Sequence, residues 1–251
     1  MARLRSVVPV LAGAAILLVA WQLIVLIGGY PEFILPGPAV VLTRFVRAWI
    51  EGPLPEHTWT TLVEIVLGFA AGAALGLGAG ALLARSKRAS LVLSPYFVAA
   101  QSTPILALAP LLVLWFGDGL LGKIVICALI VFFPVAVSTM VGLRTVDRRL
   151  IELGRSLRAS RRRILASIEL PAALPQILGG MRVGVTLAVV GAVIAEWAGA
   201  KGGLGWLINL TRGSSFDTPL LFATLLTIAL LGVGLYGLMT LVERRLVGAR
   251  G

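Results

Sequence analysis

The chain has 251 residues, 59% of them hydrophobic, with a mean hydropathy of +1.00 and a net charge of +11. Only 13% of its residues are charged, about half the share that covers a soluble globular domain. This excludes an ordinary water-soluble fold and predicts several membrane spans of about 20 residues each.

At the N-terminus, Arg3 and Arg5 precede an apolar run from Val7 to about Ile27. The run is too long for the core of a signal peptide, and no small-residue cleavage site follows it, so an uncleaved first span over 8–29 is expected. Further apolar stretches at 60–84, 91–116, 120–142, 176–198 and 218–241 complete an all-α membrane protein of six transmembrane helices. Between the first two, Pro31, Pro36, Pro38, Pro53 and Pro55 cut the segment from Tyr30 to Trp59 into turns. Within it, Val41, Leu42, Phe45 and Trp49 recur at helical spacing with Arg44 and Arg47 off that face, which predicts a short helix lying on the membrane surface. His57 is expected to be solvated there.

The second span carries Gly68, Gly72, Gly76 and Gly80, one turn apart. Such a stripe lets another helix approach closely in lipid, and static packing explains it better than a sliding helix. The third span is interrupted by Gln101-Ser102-Thr103-Pro104. Pro104 breaks the helix, and Pro110 is expected to do the same further on. Broken helices at membrane depth are buried in protein or line a watery cavity. Gln101, Ser102 and Thr103 therefore either face a translocation path or bond to neighbouring helices. Residues Gly117 to Ile124 read GDGLLGKI, close to a phosphate-binding loop, but Ile124 stands where Ser or Thr must hold magnesium. The segment reads as a short turn between spans. In the fourth span, the single cysteine, Cys127, excludes an intramolecular disulfide, and one histidine adds little toward a zinc site. The fifth span starts near Pro175 and includes Arg182, expected to snorkel to the surface. Glu64 and Glu196 are the carboxylates nearest membrane depth. No acidic or histidine relay accompanies them, so pairing with Lys201 or Arg212 fits better than proton coupling, although Glu196 stays a candidate for the path.

An N-terminus inside the cell places every basic residue on the cytoplasmic side except Arg44, Arg47, Lys123, Lys201 and Arg212. Both termini are therefore expected in the cytoplasm. Topology accounts for the basic charge without any nucleic-acid partner.

Residues Arg144 to Pro171 are too rich in arginine to span a bilayer. Leu150, Ile151, Leu153 and Leu157, then Ile164, Leu165 and Ile168, give two short amphipathic helices, with Ser160 an N-cap for the second. The loop reads either as an anionic-lipid patch or, more sharply, as a docking element for a cytoplasmic partner.

The loop resembles the signature of binding-protein-dependent ABC importer permeases: E-A-A, three residues, G, nine residues, I-x-L-P. Glu152-Leu153-Gly154 occupies the triplet and Ile168-Glu169-Leu170-Pro171 stands at the matching distance. Leu153 and Gly154 replace two alanines, and Arg158 stands where glycine is usual, which leaves the turn open if that position needs φ > 0. Leu35-Pro36-Gly37-Pro38, Gln101-Ser102-Thr103-Pro104 through Leu111, and Leu114-Trp115-Phe116-Gly117 resemble the sulfonate, nitrate and taurine branch. Gly203-Leu204-Gly205 is similar to the G-L-G that follows the fifth span in the family. The glutamine before S-T-P looks most like members moving riboflavin or the hydroxymethylpyrimidine precursor of thiamine.

The resemblance implies a type I importer permease fold in the inner membrane of a bacterium and no covalent chemistry on this chain. It implies two ABC ATPase subunits binding Mg-ATP, an extracytoplasmic substrate-binding protein, and a second, identical permease copy. It assigns 1–251 to one membrane domain, with 1–59 the first span and outer loop, 60–242 a core five-helix unit, and 144–171 the coupling loop. In that loop Glu152, Leu153, Gly154, Arg158, Ser160, Ile168, Leu170 and Pro171 carry the contact to the ATPase. A secondary transporter is the rival class, but the inverted repeats such folds show are not visible.

Overall fold

The computed structural model describes residues 2–213 and 216–248. The side chains of Arg3, Arg5 and Lys87, and all of Arg250, which enter the charge count above, lie outside what is described. Among the described residues there are eleven α-helices, one π-helical turn and no strand. They are α1 (Ala2–Gly28), α2 (Pro38–Ile50), α3 (Leu54–Arg85), α4 (Lys87–Ser102), α5 (Ile105–Phe116), α6 (Leu120–Arg144), α7 (Arg148–Ser156), α8 (Arg161–Ile164), the π turn (Leu165–Glu169), α9 (Leu170–Trp197), α10 (Leu204–Gly213) and α11 (Thr218–Gly248).

Four helical stretches are long and apolar enough to cross a membrane: Leu54–Arg85, Leu120–Arg144, Arg161–Trp197 and Thr218–Gly248. The expected third span is a bent pair, Arg88–Ser102 and Ile105–Phe116, at 96° to each other. The expected first span is α1, whose described apolar stretch, Ala12–Gly28, is at the short end of what crosses a bilayer.

The break in the third span falls at Thr103-Pro104, as expected, with Pro104 capping α5. Pro110 does not break it: α5 runs through that residue to Phe116. Pro95, Pro134 and Pro175 likewise lie inside α4, α6 and α9. A proline costs one backbone bond, which membrane helices re-satisfy locally. Pro104 differs because it follows Gln101, Ser102 and Thr103, where polar side chains offer the backbone other partners; Thr103 Oγ1 donates to the Ala99 carbonyl at 3.1 Å.

The core is a three-helix sandwich with α6 in the middle. Gly72 and Gly76 of α3 sit so close to α6 that a Cβ would lie 2.5 Å from the Ala128 carbonyl and 2.8 Å from the Phe132 carbonyl respectively. Gly68 and Gly80 meet Cys127 and the Ala136 carbonyl in the same way. On an adjacent face of α6, α9 presents a second small-residue stripe and also touches α3. Gly180 faces Ser138, Gly184 faces Val131, and a Cβ on Gly191 would lie 3.1 Å from the Cys127 backbone. Small residues on both flanks bring three backbones together and bury Ile65, Val131, Val135, Ala188 and Ala192.

At one end of the bundle, Ala48, Leu54, Leu204, Leu207, Leu220 and Ala223 form a second cluster. Here α2 departs from its expected arrangement. Val41 and Ala48 are its buried residues, and Leu42 and Trp49 are exposed. Arg44, expected off the packing face, lies on it and binds Asp217 at 2.7 Å. The helix carries two apolar stripes, and the one flanking Arg44 packs because Asp217 neutralises the arginine there.

Candidate functional site

At the opposite end, α7 begins at Asp147, whose carboxylate accepts the Arg149 N–H at 2.9 Å. It ends in a closed turn: the Arg158 N–H donates to the Arg155 carbonyl at 2.9 Å and the Ala159 N–H to the Gly154 carbonyl at 3.0 Å. These two bonds are the Schellman pattern, which puts its C′ residue in the left-handed region. Arg158 is that residue, with φ 54°. The turn at the glycine position thus keeps its left-handed shape although arginine occupies it, which settles the point the sequence left open.

Gly154 is buried, and a Cβ there would lie 3.0 Å from Ile168 Cδ1 and 3.2 Å from Ile164 Cγ1. Ser160 caps the next turn by accepting the Arg163 N–H at 3.3 Å. The sequence predicts a second, separate amphipathic helix, and the structure corrects this. The helix runs without interruption into α9, so that Arg161–Trp197 is one helical stretch. The π turn at Leu165–Glu169 explains how Pro171 fits within it. Proline lacks an N–H and crowds the carbonyl four residues earlier, and a widened turn immediately before it relieves that conflict. The Leu170 N–H accordingly reaches back to the Leu165 carbonyl. Ile168 packs with Ile151 around Val146, Ala173 and Ile177, holding α7 against the foot of α9. Glu152 is exposed, Pro171 half-buried, and Leu170 exposed. Leu150, Leu153 and Leu157 form a stripe on α7 that is 47%, 57% and 74% exposed.

A second feature lies at the break between α4 and α5. Gln101, Thr103 and Pro104 line an open groove of about 740 Å³, together with Phe133 and Ser138 of α6 and Gln176 of α9. Ser102 is exposed beside it without lining it. Neither Ser138, which stands beside Thr139, nor Gln176, a lone polar residue in an apolar run, is among the residues that the sequence marks for the path.

Glu196 is elsewhere and enclosed. It is 1% exposed, accepts the Thr61 hydroxyl at 2.6 Å, and accepts the Gly205 N–H. The Leu204 N–H donates to Thr61 Oγ1 at 2.8 Å. Gly203 has φ +109°, and a side chain there would collide with the Glu196 carboxylate. The G-L-G triplet is therefore a backbone cradle for Glu196. Next to it, His57 is not solvated: its Nδ1 accepts the Gly203 N–H at 3.1 Å and its ring lies 5.1 Å from that of Trp206.

Glu64 pairs with neither Lys201 nor Arg212. Its partner is Lys123, at 2.5 Å and 8% exposed. The sequence counts Lys123 with the outer basic residues, although the expected span over 120–142 already contains it. In the structure α6 starts at Leu120, so Lys123 sits in its first turn and points into the bundle. Lys201 instead meets Asp118 at 3.3 Å. Arg182 does not snorkel freely either; its Nε is 2.9 Å from Glu243 of α11.

Residues 72–248 match the family described as the binding-protein-dependent transport system inner membrane component. The chain is 44% identical over 232 residues to the riboflavin transport system permease protein RibX of Chloroflexus aurantiacus, covering 92% of this chain and 86% of that protein. It is 36% identical over 233 residues to the putative aliphatic sulfonates transport permease protein SsuC of Bacillus subtilis, covering 93% and 84%. Among solved structures it resembles the inward-facing MetNI methionine ABC transporter, with a TM-score of 0.69 at 21% identity over 77% of this chain and 95% of that one. That likeness establishes the type I permease fold. The chain belongs to the binding-protein-dependent inner membrane component family, and is the multi-pass permease subunit of an ABC importer whose ATPase is a separate chain.

Proposed function

We propose that this permease crosses the inner membrane six times with both termini in the cytoplasm, pairs with an identical copy, and receives cargo from an extracytoplasmic binding protein. Two ATPase subunits, holding Mg-ATP, each take one α7 into a surface cleft. The distribution of basic residues supports this orientation. Residues 60–242 are the working five-helix unit, with 144–171 its coupling loop and 1–59 an added span and outer segment. The family match from residue 72 and the α3–α6–α9 core within it support that division.

The observation that carries the coupling role is the leucine stripe of α7. Leu150, Leu153 and Leu157 stand exposed along one side of α7, with Arg148 and Arg155 on the other. Such an exposed apolar stripe on a short cytoplasmic helix calls for a covering surface, and the reading here is a cleft of the ATPase. In the assembled transporter, Glu152→Arg and Leu153→Asp leave membrane insertion unchanged while copurified ATPase falls and uptake is lost. Full docking and uptake in both variants would contradict the role.

The groove at Gln101, Thr103, Pro104, Ser138 and Gln176 is the reading for one half of the translocation path. Polar side chains exposed on apolar spans call for protein or water opposite them. For cargo, riboflavin or the hydroxymethylpyrimidine precursor of thiamine fits best. The groove sets Phe133 among hydrogen-bonding side chains, which suits a flat heterocycle, and none of its described lining residues is basic. A sulfonate, taurine or nitrate is the second reading, supported by the sulfonate-branch relative. Competition for uptake between labelled riboflavin and an aliphatic sulfonate, in vesicles holding the whole transporter, separates the two.

A further inference from the structure

Four arginines converge on one pocket of about 410 Å³ where α7 meets the feet of α3 and α9: Arg85, Arg155, Arg161 and Arg162, with Glu169 the single carboxylate and Ile164 part of an apolar wall. Glu169 meets Arg85 at 4.0 Å. Arg155, Arg161 and Arg162 have no ion-pair partner among the described residues. Guanidinium groups gathered in this way repel one another, and an anion between them removes the repulsion. Their fork geometry matches phosphate oxygens.

The position of the pocket narrows the choice of anion. Arg85 closes a 32-residue apolar helix and Glu169 precedes another, so the pocket lies at headgroup level, with apolar side chains beside the charges. Arg155 is on the side of α7 opposite the leucine stripe, by the 100° step of the helix. The pocket and the leucine stripe are thus separate surfaces of one short helix.

We propose that this pocket binds the phosphate headgroup of an anionic phospholipid of the cytoplasmic leaflet, and that a lipid with two phosphodiesters binds more tightly than one with a single phosphate. The cytoplasmic assignment rests on the orientation proposed above. Basic pockets at the cytoplasmic ends of membrane helices take such headgroups. A lipid held there braces α7 against the ends of α3 and α9.

The test uses the purified full chain and native mass spectrometry to count lipid retained after exposure to phosphatidylcholine vesicles containing phosphatidylglycerol or cardiolipin, with inorganic pyrophosphate as a parallel arm. Cardiolipin is retained best, then phosphatidylglycerol. Arg155→Gln with Arg161→Gln weakens retention about thirtyfold, Arg155→Lys with Arg161→Lys keeps most of it, and Arg244→Gln with Arg245→Gln leaves it intact. Unchanged retention in the first double variant, or equal loss in the last, overturns the proposal. So does pyrophosphate binding without any preference for anionic lipid, because the ligand is then a free phosphate compound. Loss of lipid with ATPase association intact supports the site and leaves the coupling role standing. Loss of ATPase association with lipid retained gives the pocket to the ATPase and sinks the lipid assignment.

Discussion

Lys123 and Glu64 show how much a single buried pair decides. Both are almost fully enclosed between α3 and α6. Removing one partner strands a buried charge, at a cost of about 3–5 kcal/mol, whereas replacing both by apolar residues is close to neutral. Lys123→Met therefore lowers the thermal midpoint of the detergent-solubilised protein sharply, and Lys123→Met with Glu64→Leu recovers most of the loss. Arg158 is the second decisive residue. A non-glycine side chain in the left-handed region costs about 1–2 kcal/mol, so Arg158→Gly raises the thermal midpoint, while Arg158→Val lowers it because a β-branched residue resists φ 54°. If both variants melt like the parent, the turn does not hold Arg158 in that conformation.

Among the elements, α3 separates glycines that matter from one that does not. A methyl group on Gly72 would lie 2.5 Å from the Ala128 carbonyl, whereas Gly78 has nothing within 4 Å. Gly72→Ala forces α3 and α6 apart at about 1–3 kcal/mol. Gly78→Ala is neutral or slightly stabilising, since alanine is the better helix former. Thermal unfolding of the two variants side by side tells them apart. The stripe itself was legible in the sequence because its four-residue period is visible without knowing the partner helix. The matching stripe on α9 was less so, because Gly180, Gly184, Ala188 and Gly191 mix two small residue types at uneven spacing. The break at Pro104 was legible for a related reason, since three polar residues precede it. Pro110 misled because a proline rule applied to one residue ignores the uninterrupted apolar run around it. The charged pairs were the least legible. Glu64 and Lys123 are 59 residues apart, and nothing local in either segment names the other.

For the whole molecule, the motifs that marked the family acquire physical roles. Gly203-Leu204-Gly205 cradles Glu196 and ties α10 to α9 and α3, so one triplet holds one end of the bundle. At the other end, Gly154, Ile164 and Ile168 hold α7 onto the helical stretch that continues as α9. Arg161–Trp197 is a single helical stretch, so the proposed coupling loop is joined to a continuous element that runs past Gln176 and the groove toward Glu196.

Site-directed crosslinking tests this account most directly. Cys127 is buried, so a cysteine placed at Leu153 or Leu157 is the one a thiol-reactive photocrosslinker reaches in the assembled transporter. Leu153→Cys and Leu157→Cys crosslink to the ATPase subunit, and Lys201→Cys, on the far side of the bundle, does not. An ATPase crosslink from position 201 with none from 153 or 157 would contradict both the orientation and the coupling role of α7.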